Sequence, residues 1–271
     1  MKKQKDTVLD KTPPPLYPAK TKLQVTIILL IVLGFYVLSI NWSQNQMIGG
    51  FSNTLSNMKL IIDKFFPPNM AIVLEVWEAM AQTIQMAIIS TTIAASLTIP
   101  FALLSAKNIA PANWVYYITR TFLNILRTIP DLMLAVLFVS LFGVGMFSGI
   151  LALTIFSLGI LAKLISETIE SIDMKPLEAA KGCGGGRIQV IVVALVPQIL
   201  PQFMSFVLYV LEINIRASII LGLVGAGGIG LALSRELNFY NYPNAMGIII
   251  IIFVIVISIE FISNKIRGKL I

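Results

Sequence analysis

Residues 178–197 read EAAKGCGGGRIQVIVVALVP, a polar stretch broken by three consecutive glycines that passes directly into an apolar run. Just upstream, Pro176 suits the first turn of a helix, where its missing N–H costs nothing. Glu178 falls in that first turn, where a negative charge complements the helix dipole. Glycines 184–186 then break the helix and let the chain reverse sharply. The segment reads as a short polar helix with a tight turn, set between long apolar stretches, although composition alone fits an ordinary polar loop equally well.

Composition decides what kind of chain carries this segment. With 57% hydrophobic and 12% charged residues, and a mean hydropathy of +0.88, the chain is too apolar for a water-soluble domain. It is expected to be an all-α integral membrane protein. A helical span needs about 20 apolar residues, so 271 residues hold about six spans with loops and leave no room for a soluble domain. The lone Cys183 excludes an internal disulfide, and the absence of histidine removes the commonest metal ligand and general base. Neither a metal site, a catalytic residue nor a cofactor is expected.

Residues 1–22 carry six lysines and a Pro-Pro-Pro run, the composition of a solvated tail. Residues 23–42 are expected to form the first span, retained because no A-x-A-like cleavage site follows it. Residues 43–79 read as an external segment whose short apolar stretch, 71–77, lies along the interface. The core, residues 80–271, starts with a span over 80–104. An amphipathic helix over 114–127 follows, then a hinge at 128–131 around Pro130 and a span over 129–146. Spans over 148–164 and 190–213 flank the polar 166–189 loop. Residues 214–242 read as an irregular glycine-rich connection, and 245–263 as the last span.

This layout places 16 lysines and arginines on one side and four on the other, Lys59, Lys64, Arg216 and Arg235. The positive-inside rule then puts both termini and the 166–189 loop in the cytosol, in a bacterial-type plasma membrane. The net charge of +7 is explained by that face and calls for no nucleic-acid partner.

The order Glu178, Ala179, Ala180, with Gly184 six residues after Glu178 and a close at Leu195, Val196 and Pro197, resembles the EAA loop of ABC importer permeases. Three further blocks narrow the resemblance to the phosphonate-type permeases: LNILRTIPDLMLAVLF (123–138), VPQILPQFMSFVLY (196–209) and NIRASIILGLVGAGGIG (214–230). It extends from about residue 80 to the C-terminus and implies a type I importer permease with a cytosolic coupling helix. It further implies a second permease copy or paralogue, two ABC ATPase subunits, and an extracytoplasmic solute-binding protein that delivers phosphonate, phosphite or phosphate. The GCGGGR stretch departs from the Gly-Ala-Ser/Thr type sequence common in the family, which affects the geometry of the coupling turn. An ABC permease for another small solute remains an alternative.

The last block contains a literal G-x-G-x-x-G at 225–230, but it lacks the βαβ setting and the acidic residue about 20 positions on that a dinucleotide site needs. Gly222, Ala226 and Gly230 recur every four residues, so on one helical stretch they would pack closely against a neighbour. No G-x-x-x-x-G-K-[S/T] occurs, so ATP must be bound by a partner.

Charges within or beside spans are candidates for function. Arg216, expected at the outer end of the fifth span, is four residues after Glu212 and in reach of it on a continuous helix. Arg216, Glu212 and Ser218 either line the pathway for the oxyanion or, for the charged pair, form a structural ion pair. Arg127 and Asp131 flank Pro130 as gate candidates, with interface anchoring the simpler reading. An ion-coupled secondary transporter would need carboxylates near the midplane, whereas Asp131, Glu167, Glu212 and Glu260 fall near span ends in this layout. A membrane-embedded enzyme lacks a catalytic constellation.

Overall fold

The computed structural model describes residues 24–38 and 58–270, and these are helical with turns and no strand among them. The chain divides into two compact units, Met1–Asp63 and Lys64–Ile271. In the first, α1 (Gln24–Leu38) is a short apolar helix whose side chains are exposed all round. Residues 58–63 are also helical. The expected tail over 1–22, and the part of the external segment over 43–57, lie outside the described residues.

The second unit is a helical bundle. Short α2 (Ile72–Glu75) leads into α3 (Trp77–Ser105), which runs along α6 (Met146–Ser171) as the most extensive helix pair. On α3 the buried residues are mostly small, Ala87, Thr91, Ala94, Thr98 and Ala102; on α6 Gly149 and Ala152 are buried beside the larger Leu153, Leu161 and Ile165, and Gly159 lies against Arg127 of α4. A Cβ on Gly149 would come within 3.1 Å of the Ala226 carbonyl oxygen. Large aliphatics such as Ile88, Ile93 and Leu97 face outward. The small residues along the buried side of α3 suit a bundle held by close packing in lipid. The hydroxyls of Thr83, Ser90 and Thr91 each bond a carbonyl of their own helix, so these three polar side chains enter the core satisfied.

Between these two helices, α4 (Asn113–Thr128) and α5 (Asp131–Phe142) meet at 86°. The hinge read at 128–131 is there: Ile129 is extended, as a residue before proline prefers, and Pro130 caps α5. After α6 come α7 (Lys175–Gly182), α8 (Arg187–Val190) and a π-helical turn (Ile191–Leu195) leading to α9 (Val196–Leu223). The wider turn lies immediately before Pro197, which has no N–H for the helical ladder. Then come α10 (Gly228–Asn238) and α11 (Tyr242–Leu270). Among the described residues, four helical stretches are long and apolar enough to cross a membrane, or five if the bent α4–α5 pair counts as one span.

Two expectations are corrected. The 214–242 segment is largely helical: α9 continues to Leu223 and α10 follows, with breaks only at residues 224–227 and 239–241. Gly225, Gly227 and Gly228 take positive φ there, so the glycines make one tight reversal rather than a loose connection. Second, α6 runs on through the first six residues of the expected 166–189 loop. In the 71–77 stretch Ile72 and Val76 are buried against Met80, Ile229 and Ile248, while Leu74 and Trp77 remain exposed.

Candidate functional site

The coupling-loop residues are carried by α7, which is attached to the apolar core through Leu177, with the half-buried Ala180 packed beside it. Leu177 is 1% exposed and packs with Ile165, Ile169, Val190 and Leu195. Away from this anchor, Glu178, Ala179 and Cys183 are exposed; Lys181, also exposed, follows Leu177 by one turn and lines the same cavity. At its start, the Asp173 carboxylate accepts the Lys175 N–H at 3.0 Å. At its end, Gly184 N–H donates to the Lys181 carbonyl at 2.9 Å and Gly185 N–H to that of Ala180 at 3.1 Å. With Gly184 at φ +84°, this is the Schellman closure that a left-handed glycine permits. Gly185 is equally constrained, since a Cβ there would stand 2.7 Å from the Ala180 oxygen.

The support beneath α7 is polar. Glu170 at the end of α6 accepts from the Lys107 N–H at 3.0 Å and pairs with Arg120 of α4 at 2.9 Å. Asn108 donates to the Ile169 carbonyl at 2.7 Å, and the Arg187 guanidinium to that of Ile109 at 2.5 Å. The α3–α4 elbow is thereby tied to both ends of the α7 excursion. The sequence reading missed Glu170 and Arg120 because their separation in the chain, 50 residues, carries no local signal.

A second group of polar residues lies within the bundle on α9. Asn214 is fully buried, accepting from Ser157 Oγ of α6 at 2.9 Å and donating to Thr91 Oγ1 of α3 at 2.8 Å. Thr91 is the central residue of the 29-residue α3, so this network marks the middle of the bundle. Glu212 and Arg216 flank that level as an ion pair. Glu212 also receives Arg267 of α11 at 3.3 Å, with the Arg267 guanidinium 5.8 Å from the centre of the Tyr209 ring. Two guanidinium groups thus share one nearly buried carboxylate, while the Arg216 side chain is 47% exposed.

This placement corrects the position expected of Arg216: it is inside α9, seven residues before the end at Leu223, not at an outer terminus. Ser218 does not join it on the open face, being fully buried and bonded to the Ile215 carbonyl of its own helix. The gate pair is not formed either. Among the described residues no ion pair joins Arg127 to Asp131, because the bend at Pro130 breaks their helical register and Asp131 instead accepts the Leu132 N–H. Gly222, Ala226 and Gly230 do not line one helical face: the chain reverses between them. Gly222 and Gly230 nonetheless meet across the reversal, where a Cβ on Gly230 would overlap the Ile219 oxygen, at 1.9 Å. Their smallness lets α9 and α10 touch backbone to backbone. The G-x-G-x-x-G residues lie in this helical reversal, with Thr83 Oγ1 accepting the Ile229 N–H at 2.8 Å.

Residues 98–268 match the family model described as binding-protein-dependent transport system inner membrane component. The chain is 32% identical to a putative phosphite transport system permease protein, HtxC, of Stutzerimonas stutzeri, over 90% of this chain and 84% of that protein. It is 39% identical to the phosphate-import permease protein PhnE of Mycolicibacterium smegmatis, over 78% of this chain but only 40% of that longer relative. The solved MetNI methionine ABC transporter, in an inward facing conformation, contains a chain of the same fold, with a TM-score of 0.65 at 19% identity, covering 75% of this chain and 99% of that one.

Proposed function

The chain belongs to the family of binding-protein-dependent transport system inner membrane components, and from that premise we propose that it is the membrane-spanning subunit of an ATP-driven importer for a phosphorus oxyanion, whether phosphonate, phosphite or phosphate. It is a multi-pass membrane protein with the all-α architecture of a type I ABC importer permease. The observation that carries the coupling reading is the mounting of α7: one buried leucine, a closed glycine turn and a braced elbow beneath an otherwise exposed helix. Such a helix moves with the ends of α6 and α9, so a force on its exposed face reaches both spans. In this reading the face of Glu178 and Ala179 meets an ATPase subunit in the cytosol, the side that the positive-inside rule favours for a loop carrying Lys175, Lys181 and Arg187. Both termini share that side.

The substrate class is supported by the relatives' names and by Arg216. A guanidinium beside the mid-bundle Asn214 network does not face hydrocarbon, where a charge costs several kcal/mol, so its exposed face turns to water or to a second permease chain. With Glu212 holding it from behind and Arg267 offsetting the carboxylate, the cluster keeps a net positive charge suited to an oxyanion. A solute-binding protein delivers the anion, two ATPase subunits drive it, and a second permease copy or paralogue completes the pathway. The test is ATP-dependent uptake of labelled phosphite, phosphate and methylphosphonate by vesicles containing the whole complex. At least one is expected to be taken up, and Arg216→Gln to reduce its rate about tenfold with complex assembly unchanged. Undiminished uptake by that variant removes Arg216 from the pathway, and uptake independent of ATP removes the importer reading.

A further inference from the structure

Two cavities meet at the end of the bundle that carries α7. One, of about 430 Å³, is mixed in polarity, with Asn108, Lys181 and Arg187 as its polar wall, Leu177 and Val190 as part of its apolar one, and no acidic residue. The other, of about 360 Å³, is lined by Pro100, Leu103, Leu104 and Ile188. They are adjacent: Ile109, Pro111, Arg187 and Ile191 line both. Ile188, at the apolar side, is 77% exposed although it is a large aliphatic residue beside two spanning helices.

From this arrangement we infer a binding site for an anionic phospholipid, with its phosphate between Lys181 and Arg187 and an acyl chain along Leu103, Leu104 and Ile188. An apolar channel opening at a spanning helix and ending at two cations, at the level where spans pass into polar loops, matches a lipid in both polarity and depth. A zwitterionic lipid would bring its own cation against Lys181 and Arg187, and a soluble anion would leave the apolar half unfilled. Arg187 already holds the Ile109 carbonyl, so it is fixed in place before a lipid arrives. Lys181 and Gly185 line the basic half, so a bound lipid touches the closing turn of α7 directly and stiffens it. The site is independent of which solute the protein carries.

Native mass spectrometry of the purified full chain, titrated with phosphatidylglycerol and separately with phosphatidylcholine, tests the inference. Phosphatidylglycerol is expected to bind preferentially; each basic residue near the surface contributes about 1 kcal/mol, so Lys181→Gln weakens it about fivefold and Lys181→Gln with Arg187→Gln roughly thirtyfold. Lys181 is exposed, so the single variant keeps the test valid if the double variant does not fold. Equal retention of the two lipids, or unchanged affinity in Lys181→Gln, overturns the proposal. Displacement of phosphatidylglycerol by an equal concentration of inorganic phosphate identifies a bare anion site and also overturns it.

Discussion

Three glycines around the end of α7 have different structural reasons to be there, so the same substitution gives three different outcomes. Gly182 is helical, and a Cβ on it meets nothing within 4 Å. Gly182→Ala is therefore expected to stabilise α7 by about 0.5–1 kcal/mol, because alanine has less backbone freedom to lose. Gly184 also has open space but sits at φ +84°, so Gly184→Ala carries only the left-handed backbone penalty of about 1–2 kcal/mol. Gly185 is not open: its new Cβ would lie 2.7 Å from the Ala180 oxygen, the acceptor of the Gly185 N–H. Gly185→Ala must displace that turn and is expected to be the worst of the three. Hydrogen exchange over residues 178–186 in the purified complex reads these effects directly. Gly184→Ala should speed exchange roughly tenfold and Gly185→Ala more, with Gly182→Ala slower than the parent. ATP hydrolysis per solute imported should rise in the same order. If Gly182→Ala is as disruptive as Gly184→Ala, or if Gly185→Ala leaves exchange unchanged, the closure described for α7 is wrong.

Two further perturbations test the bundle that α7 acts on. Asn214→Leu removes the bonds to Thr91 and Ser157 and leaves the Ser157 hydroxyl without its acceptor, which should destabilise the detergent-solubilised protein by about 1–2 kcal/mol in thermal unfolding. Gly230→Ala drives a Cβ to within 1.9 Å of the Ile219 oxygen, so α9 and α10 must separate; a loss of about 3 kcal/mol is expected, seen as poor recovery of folded protein, whereas Gly268→Ala, with nothing within 4 Å, should be silent.

The parts legible in the sequence are those with local causes. Hydropathy marks α3 and α11, Pro130 marks the 86° bend, and the spacing from Glu178 to Gly184 marks α7 with its closing turn. What escaped depends on contacts distant in the chain. The Gly222 to Gly230 spacing suggests one helical face because a period of four is ambiguous: residues meeting across a reversal produce it as well. Arg216 seemed terminal because glycines were taken to end the span early, yet α9 tolerates Gly222 inside it and breaks only where φ turns positive. Arg267, the second partner of Glu212, lies 55 residues on, and nothing local connects them. The Arg127–Asp131 pair fails for the opposite reason: i, i+4 spacing requires a continuous helix, and Pro130 ends it.

The central claim is that the exposed face of α7 meets an ATPase subunit, and the chain carries its own probe for it. Cys183 is the single cysteine, exposed at the C-cap of α7 beside Lys181 and Gly184. The measurement is the rate of its labelling by a small thiol reagent, and its crosslinking by a bifunctional one, in the isolated chain and in the complex assembled with its ATPase. The account predicts rapid labelling of the isolated chain, strong protection on assembly, and a crosslink to the ATPase whose yield changes with nucleotide. Equal labelling in both states, with no crosslink to the ATPase, would contradict it.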